Sequence, residues 1–277
     1  MKRYAYLTYL GTDDYLTGTL ALIEELKNVK SKYPIYVLIA NDLGKKTIYQ
    51  IETIYQIETK AKIIKSQKFK IPNEILEHNN QTGYSRWNRT FEKLQVFWLE
   101  QFDKIVMLDS DMLIKSNIDE LFEKPSLSAV AAGKDYPGNE KWDNLNSGTM
   151  VITPSKLEFT RLIKLIGDDT LGDQDVIQKA YPSWNKNESL HLSDIYNMIS
   201  GFEAYYVGIK KLKNIKIVHF THKVKPWKMN KIYRFKYICS LVVRQIIKCN
   251  SFLGIKSSIK DFLIYCKICD QCSPKTK

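Results

Sequence analysis

The sequence predicts an α/β protein with a largely parallel central sheet, and three observations support this. Strand-like and helical segments alternate from the first residues onward, as in β-α-β units. Several strand segments are continuous apolar runs, which are typical of strands buried on both faces. The 277 residues are 44% hydrophobic and 26% charged, the balance of a globular protein with a substantial core. One large catalytic or binding domain is therefore expected.

The chain opens with a predicted β-α-β unit. Tyr4–Tyr9 has the alternating pattern of a strand, and Ile35–Asn41 is an apolar run that predicts a buried strand. Between them, Asp13 or Asp14 is suited to cap a helix. The apolar stripe of that helix consists of Leu16, Leu20, Ile23 and Leu26.

A second helix is predicted after Gly44, and a third strand at Ala61–Lys65. The residues on one face of this helix would be Ile48, Ile51 and Tyr55. Within it, Thr47–Glu52 (TIYQIE) recurs as Thr53–Glu58. Because a six-residue period fits no solenoid, we interpret the repeat as a local duplication.

The polar segment Gln67–Arg89 predicts a surface loop, and Phe91–Phe102 after it predicts an amphipathic helix. The inward-facing residues of that helix would be Leu94, Phe97, Trp98 and Phe102. Ile105–Leu108 then predicts a fully buried strand that ends at Asp109 and Asp111. Because ligands of parallel sheets bind beyond the carboxyl ends of the strands, this acidic pair marks a candidate site.

The remaining elements continue the alternation. Strands are predicted at Ala129–Gly133, Thr149–Ile152 and Ile215–Phe220, and Ser155 is placed to cap a helix. The apolar residues of that helix would be Leu157, Leu162 and Leu165.

Candidate chemistry lies at two of the predicted strand ends. Asp109 and Asp111 can both reach a hard cation, although a turn with solvated aspartates is a common alternative. His219 stands at the end of a later strand, and Lys225 follows before a proline. These two could supply a metal ligand and a phosphate partner, whereas a lone histidine is more often a packed core residue.

Charge is concentrated in the last part of the chain. Residues 207–277 contain 17 basic and 2 acidic residues, a net charge of +15, so the remainder carries −3 of the total of +12. Such asymmetry suggests contact with an anionic surface, either membrane or nucleic acid. A solvated, poorly ordered tail explains the composition about equally well.

All five cysteines also lie in the tail, which argues against a disulfide framework. Cys266, Cys269 and Cys272 have a spacing that could begin a metal or cluster site, but a fourth ligand at a family spacing is missing. Free thiols are therefore expected, with reversible acylation as the lesser alternative.

Five segments, taken in order, resemble a known enzyme family. They are KLQVFWLEQFDKIVMLDSDMLIKSNIDELF, NLNSGTMVITPS, GDQD, IYN and HFTHKVKPW. They are similar to the DXD, NSG, GDQ, tripeptide and H-F-x-G-x-x-K-P-W segments of glycosyltransferase family 8, the glycogenin and galactinol synthase group. The resemblance covers Tyr4–Lys228. It implies the GT-A fold, a single Rossmann-like domain, and retaining transfer of a hexose from a UDP-sugar.

Carried over residue by residue, the resemblance implies a complete donor site. The ligands of Mn²⁺, or of another divalent cation, would be Asp109, Asp111 and His219. The catalytic residues would be Asp173, Gln174 and Lys225, with the lysine reaching the leaving diphosphate. The residues binding nucleotide and sugar would be Thr8, Thr12, Tyr15, Lys93, Ser110, Asn146, Ser147, Gly148 and Lys225. His222 stands where the family usually has glycine.

The leading hypothesis is a metal-dependent retaining glycosyltransferase whose partners are a UDP-hexose and a saccharide or other hydroxyl acceptor. The alternative is a catalytically silent nucleotide-sugar-binding or scaffold protein of the same fold. Nucleic-acid binding is disfavoured, since the basic tail carries no recognisable nucleic-acid module. A homodimer is among the expected assemblies.

We expect a catalytic domain at 1–230 and a basic, cysteine-containing helical tail at 231–277. No apolar run approaches the roughly 20 residues of a membrane-spanning helix, and no secretory signal is recognised, so a cytoplasmic protein is expected. Within Ile232–Lys248, the predicted apolar stripe is Phe235, Ile238, Cys239, Val242 and Ile246. Flanking basic residues suit peripheral binding to an anionic membrane, and two helices packed on the domain are almost as plausible an alternative.

Overall fold

The computed structural model describes residues 2–51, 61–68, 71–83, 85–131, 133–249 and 251–274. Its strands, in chain order, are β1 (Tyr4–Leu10), β2 (Ile35–Ile39), β3 (Lys62–Lys65), β4 (Lys104–Leu108), β5 (Met112–Ile114), β6 (Ala129–Val130), β7 (Asn146–Ile152), β8 (Met198–Ile199) and β9 (Ile217–His219). The helices are α1 (Leu16–Asn28), α2 (Lys45–Tyr49), α3 (Asn73–Gln81), α4 (Lys156–Ile163), α5 (Asp173–Ala180), α6 (Glu203–Gly208), α7 (Lys231–Cys249) and α8 (Phe252–Cys272).

The main sheet has the strand order β3-β2-β1-β4-β7-β6. β1 to β4 are parallel to one another, and β7 runs antiparallel between β4 and β6. The predicted α/β class with a mostly parallel sheet is therefore confirmed. Because β7 is antiparallel, its first residues lie beside the last residues of β4, and the Asp109 N–H donates to the Gly148 carbonyl oxygen at 2.9 Å.

A smaller sheet with the order β5-β9-β8 adjoins the end of β4. β5 begins directly after Asp111 and pairs with β9 so that Met112 lies opposite His219. The Phe220 N–H donates to the Asp111 carbonyl oxygen at 2.9 Å. This pairing joins two segments more than 100 residues apart and fixes the histidine next to the acidic pair.

The first helix begins later than predicted and without an aspartate cap. Asp13–Tyr15 forms a 3₁₀ turn, and α1 starts at Leu16. The Asp13 carboxylate instead accepts a hydrogen bond from the Gly44 N–H at 3.0 Å, and Asp14 pairs with Lys228. The predicted stripe of α1 is buried, as expected. The aspartates are thus used in contacts distant in sequence, which a local capping pattern does not reveal.

The prediction of a loop over Gln67–Arg89 is wrong, because this segment contains α3. The buried side chains of α3 are Ile75 and Asn79, and Asn79 donates to the Leu171 carbonyl oxygen at 3.0 Å. A buried face that is half polar does not produce an apolar stripe, so the sequence pattern concealed this helix.

The prediction of an amphipathic α-helix at Phe91–Phe102 is also corrected, because Thr90–Trp98 is a 3₁₀ helix. Its buried apolar residues include Phe91, Leu94 and Phe97, spaced three apart. That spacing puts them on one face of a helix with three residues per turn, and Trp98 is only half-buried. Phe102 lies beyond the helix and is buried.

Two further predictions are partly confirmed. Ser155 caps α4, accepting a hydrogen bond from the Glu158 N–H at 3.3 Å. Leu157, however, is 82% exposed, and Phe159 and Leu162 supply the buried face instead. The predicted second helix begins after Gly44 as α2, whereas Tyr55 and the second TIYQIE copy (Thr53–Glu58) lie outside the described residues.

The two tail helices, α7 and α8, pack against the rest of the fold. α7 buries Tyr237 and Leu241, and α8 buries Phe262 and Tyr265, in one cluster with Phe220. The Tyr265 ring stacks on Phe220 with centroids 4.5 Å apart. The predicted α7 stripe is shifted, because Ile238 and Val242 are half-buried against the domain.

Within the described part of the chain, no helix is long and apolar enough to cross a membrane. The described cysteines are free thiols, as expected, and are Cys239, Cys266, Cys269 and Cys272. Burial raises the pKa of Cys266 to about 11, so this thiol stays protonated at neutral pH.

Candidate active site

Three predicted metal ligands converge at the junction of the two sheets. The ligand atoms of Asp109, Asp111 and His219 all lie within 4.8 Å of one another. His219 Nε2 is 3.2 Å from Asp111 Oδ1 and 3.8 Å from Asp109 Oδ2. Among the residues described, this is the one group of histidine, cysteine and carboxylate side chains arranged to hold a metal ion.

Hydrogen bonds assign which nitrogen of His219 faces the carboxylates. The Gly148 N–H must donate to Asn146 Oδ1, at 3.0 Å. That same oxygen can then only accept from Asn197, whose Nδ2 is 2.7 Å away. Asn197 Oδ1 therefore faces His219 Nδ1 at 2.9 Å and accepts its proton.

In the neutral ring, His219 Nε2 is then unprotonated and points at two carboxylates. Three acceptors without a proton between them favour a cation at their centre. Oxygen ligands with one imidazole suit Mn²⁺, and a polar partner on the second ring nitrogen is the usual support of a metal-bound histidine. The residues present thus fit a divalent cation.

Two buried lysines complete the electrostatics of this group. Lys93 Nζ lies 2.7 Å from Asp109 Oδ1 and 3.0 Å from Asp173 Oδ2. Lys225 Nζ lies 2.6 Å from Asp111 Oδ2 and donates to the Phe220 carbonyl oxygen at 3.0 Å. All five charged groups are therefore held by partners of opposite charge.

These contacts keep the groups charged in a buried site. Burial disfavours the charged form of Asp111, but the Lys225 ammonium outweighs it and holds the pKa of this carboxyl far below its ordinary value. Burial likewise disfavours charged Lys93, but Asp109 and Asp173 raise its pKa above the ordinary value. Both lysines are thus fixed cations beside the candidate metal site.

The segments Asn146–Gly148 and Asp173–Gln174 meet at the same place. Gln174 Oε1 accepts a hydrogen bond from the Ser147 N–H at 3.1 Å, and Lys93 Nζ lies 3.5 Å from Ser147 Oγ. Asp173 begins α5, where its N–H donates to Thr90 Oγ1 at 3.1 Å. A Cβ on Gly148 would lie 2.6 Å from the His219 ring, so only glycine allows the histidine this position.

The residues predicted to bind the nucleotide lie around this cluster. Thr8 is buried at the end of β1, and Ser110 is buried between the two acidic ligands. Tyr15 packs edge-on against Trp227 with centroids 5.6 Å apart, and Lys225 Nζ is 5.8 Å from the Tyr15 ring centroid. Thr12 precedes the 3₁₀ turn that leads to Tyr15.

His222, the departure from the family pattern, lies against α7. Its ring meets Tyr237 edge-on at 4.9 Å, with the Tyr237 hydroxyl 3.3 Å from Nδ1. Burial, together with Arg244 and Lys225, lowers the pKa of His222 to about 4, so the ring is neutral at pH 7. A neutral imidazole offers one hydrogen-bond donor and one acceptor.

Sequence reasoning missed three supporting residues. Asn197 fixes the His219 ring, and its signal was available, since it ends the IYN segment. Thr90 accepts from the N–H that opens α5. Tyr265 donates to the Ser110 carbonyl oxygen at 3.3 Å from the tail. Neither Thr90 nor Tyr265 belongs to a recognisable motif, so only the fold identifies them.

This chain was compared with family models, with protein sequences and with solved structures, and each comparison found similar proteins. A family model described as a mannosyltransferase family matches residues 7–129. Glycogenin-1 of Caenorhabditis elegans is 32% identical over 229 residues, which is 80% of this chain and 50% of that protein. UDP-glucuronate:xylan α-glucuronosyltransferase 2 of Arabidopsis thaliana is 25% identical over 249 residues, 85% of this chain and 37% of that protein. The chain thus spans half or less of the length of these two relatives.

Among solved structures, the galactosyltransferase LgtC, in complex with donor and acceptor sugar analogues, matches with a TM-score of 0.58 at 10% identity. The match covers 99% of this chain and 98% of LgtC, and at this identity it concerns the fold. The names of the xylan α-glucuronosyltransferase and of the galactosyltransferase LgtC both denote glycosyltransferases, in agreement with the enzyme class that the motifs implied. The chain is therefore similar to the glycogenin-like glycosyltransferases over about four fifths of its length, and it has the GT-A fold.

Proposed function

We propose that this chain is a metal-dependent retaining glycosyltransferase that moves a hexose from a UDP-sugar to a hydroxyl acceptor. The observation that carries the proposal is the meeting of Asp109, Asp111 and His219 between the buried cations Lys93 and Lys225. A cluster of acceptors flanked by two fixed cations suits a divalent ion and the diphosphate that it would neutralise.

The chemistry explains why such a set is useful. The bond from sugar C1 to the diphosphate breaks with positive charge growing on the ring and negative charge on the leaving group. A divalent cation, when bound, supplies Lewis-acid stabilisation of the diphosphate. Lys225 stands beside the same position and adds a preorganised positive charge. Because both charges are fixed before the reaction, they need no reorganisation as the bond breaks.

Asp173 and Gln174 would act on the sugar. Asp173 is held by Lys93, and Gln174 by the Ser147 N–H, so both side chains are oriented before the donor binds. Their oxygens would hold ring hydroxyls and favour positive charge on the ring. Retention would follow from attack by the acceptor on the face that the leaving group departs from.

The proposed activity can be measured without knowledge of the acceptor. Purified protein incubated with UDP-glucose, UDP-galactose, their N-acetyl forms or UDP-glucuronate is expected to release UDP from at least one of them, by slow hydrolysis. The release should require Mn²⁺ and stop when a chelator is added. Saturable, Mn²⁺-dependent donor binding without any UDP release would instead favour the catalytically silent alternative.

We also propose that the outer faces of the tail helices rest on an anionic membrane. The exposed apolar residues of α7 form one stripe and are Ile232, Phe235, Cys239, Val243, Ile246 and Ile247. The exposed face of α8 mixes four apolar residues, three lysines, one glutamine and Asp270, which pairs with Arg234; the others are Phe252, Leu253, Leu263, Ile264, Lys256, Lys260, Lys267 and Gln271. Apolar faces carrying lysines, in a region of charge +15, complement an anionic headgroup layer.

Vesicle flotation tests this membrane proposal. The protein is expected to float with vesicles of anionic lipid and to be released at high salt, because each basic residue near the surface contributes about 1 kcal/mol. The triple variant Ile232→Gln, Phe235→Gln, Ile247→Gln should stay in solution. Leu157→Gln is the control, because Leu157 lies on α4 and is 82% exposed, and this variant should float.

Flotation of the triple variant together with wild type would contradict this role for the α7 stripe. If neither wild type nor the triple variant floats, membrane binding itself is contradicted. The buried face of α7 is untouched by these substitutions, so the fold should be retained, and circular dichroism with a melting curve checks this.

A further inference from the structure

A cavity of about 250 Å³ lies between the loop after β9 and the tail helix α7. Its lining includes Tyr136, Trp142, Phe202, His222, Arg244 and Gln245. None of these residues belongs to the donor site described above. Arg244 and Gln245 lie beyond Lys228, outside the stretch that resembles the family.

The cavity adjoins the candidate metal site. Thr221 and His222 both line it, and His222 follows the metal ligand His219 by three residues. Three residues of extended chain span at most about 11 Å, which bounds the distance between the two Cα atoms. A ligand in this cavity is therefore close enough to present a hydroxyl group to a donor sugar held at the metal.

One wall of the cavity is aromatic. Tyr136 and Phe202 stack with ring centroids 4.1 Å apart and an interplanar angle of 22°. Trp142 is 57% exposed, so its indole is available to a ligand. Flat aromatic surfaces next to a few polar groups suit the apolar C–H faces of a sugar ring, whose hydroxyls need hydrogen bonds at the edges.

The opposite wall supplies the polar groups. Gln245 is 2% exposed, and its Oε1 has no hydrogen-bond partner among the residues that the structure describes, while its Nε2 is 3.5 Å from Ser258 Oγ. A buried amide oxygen without a partner costs free energy unless a ligand satisfies it. The Tyr237 hydroxyl engages one nitrogen of the neutral His222 ring, and the other nitrogen adds one donor or acceptor. These groups can bind sugar hydroxyls.

Arg244 adds a positive charge at the cavity. Its Nε donates to the Ser240 carbonyl oxygen at 3.4 Å, and no carboxylate among the described residues forms an ion pair with it. A guanidinium without a carboxylate partner at a ligand cavity is suited to a carboxylate or a phosphate, which it can bind through two hydrogen bonds.

We propose that this cavity is the acceptor subsite and that it takes an anionic saccharide, whose carboxylate or phosphate pairs with Arg244 and whose ring packs on Trp142. The inference rests on the proposed glycosyltransferase function. In the transfer, an acceptor hydroxyl oxygen bonds to C1 of the donor sugar as the bond from C1 to the diphosphate oxygen breaks. The electron pair of that bond and the hydroxyl proton leave with UDP.

Matched saccharides test the charge preference. Methyl glucoside, methyl glucuronide and glucose 6-phosphate differ in charge and in the kind of anion, so they separate carboxylate from phosphate. Intrinsic tryptophan fluorescence, to which Trp142 contributes as one of five tryptophans, measures their binding without donor or turnover, and Trp142→Phe should remove the ligand-dependent change. At least one anionic saccharide is expected to give saturable quenching in the millimolar range, with Kd about tenfold lower than that of methyl glucoside.

Two variants of α7 test whether Arg244 causes the preference for anionic saccharides. Arg244→Gln should raise Kd for the anionic saccharide about tenfold and leave binding of methyl glucoside unchanged, since only the charge-assisted hydrogen bonds are lost. Lys236→Gln removes the same charge from the same helix at an exposed position outside the cavity and should change neither value. Acceptor-free UDP release should be the same in Lys236→Gln and in wild type.

Equal binding of neutral and anionic saccharides, an unaltered Kd in Arg244→Gln, or no saturable binding of either anion would overturn the inference. Absence of UDP release from every donor would overturn the proposed function instead. In that case the fluorescence titration still decides whether the cavity binds an anionic saccharide, so the two failures are distinguishable.

Discussion

Asp109→Asn is expected to lower Mn²⁺-dependent UDP release by about 10³-fold, because loss of one anionic ligand removes several kcal/mol of transition-state stabilisation. Asp109 is the better of the two acidic ligands to change. Its side chain is 27% exposed and Lys93 keeps Asp173 as a partner, whereas Asp111 is buried and alone neutralises Lys225. The fold should therefore survive the substitution.

The measurement is a Mn²⁺ titration of UDP release in wild type and variant, with melting temperatures for both. Asp169→Asn serves as the control, since Asp169 is an exposed carboxylate paired with Lys179 and distant from the cluster in sequence. Wild-type activity that persists in excess chelator, or a variant with unchanged turnover, would refute the assignment of Asp109, Asp111 and His219 as metal ligands.

Lys225→Met is expected to lower kcat by about 10²-fold or more with a smaller change in KM. A fixed cation beside the leaving diphosphate interacts more strongly with the transition state, in which negative charge develops, than with the bound donor. Methionine keeps the apolar stem and much of the volume of lysine. The substitution leaves the buried Asp111 without its ion-pair partner, so melting temperatures of wild type and variant are compared alongside the kinetics.

Steady-state kinetics with the best donor provide the measurement. Lys228→Met is the matched control. Lys228 follows Lys225 by three residues, is exposed and pairs with Asp14. If kcat is unchanged in Lys225→Met and only KM rises, then Lys225 binds donor and transition state equally and has no specific role in bond breaking.

Some features of the donor site could be predicted from the sequence, and others only from the fold. Asp109 and Asp111 were recognisable from local pattern, since an apolar strand followed by two carboxylates is a contiguous signal. His219 and Lys225 were recognisable as parts of an ordered motif set. The ion pairs from Lys93 to Asp109 and Asp173 were not, because they connect segments 16 and 80 residues apart in sequence.

The errors in the fold have a common cause. A helical stripe is visible only when the buried face is apolar and has the period of an α-helix. α3 buries Asn79 through long-range hydrogen bonds, and Thr90–Trp98 buries residues three apart in a 3₁₀ helix. In both segments the decisive contacts come from other parts of the chain.

The sequence by itself determined the α/β class, the first β-α-β unit, the acidic strand end and the motif order, because each is written in neighbouring residues. The tertiary structure decided which motifs meet. Antiparallel β7 brings Gly148 to Asp109, and the pairing of β5 with β9 brings His219 to Asp111. The tertiary structure also decided which face of α7 is buried. The helix carries apolar residues on both sides, so its sequence alone does not define the buried side. Packing against Phe220 and α8 buries Tyr237 and Leu241 and leaves Val243 exposed.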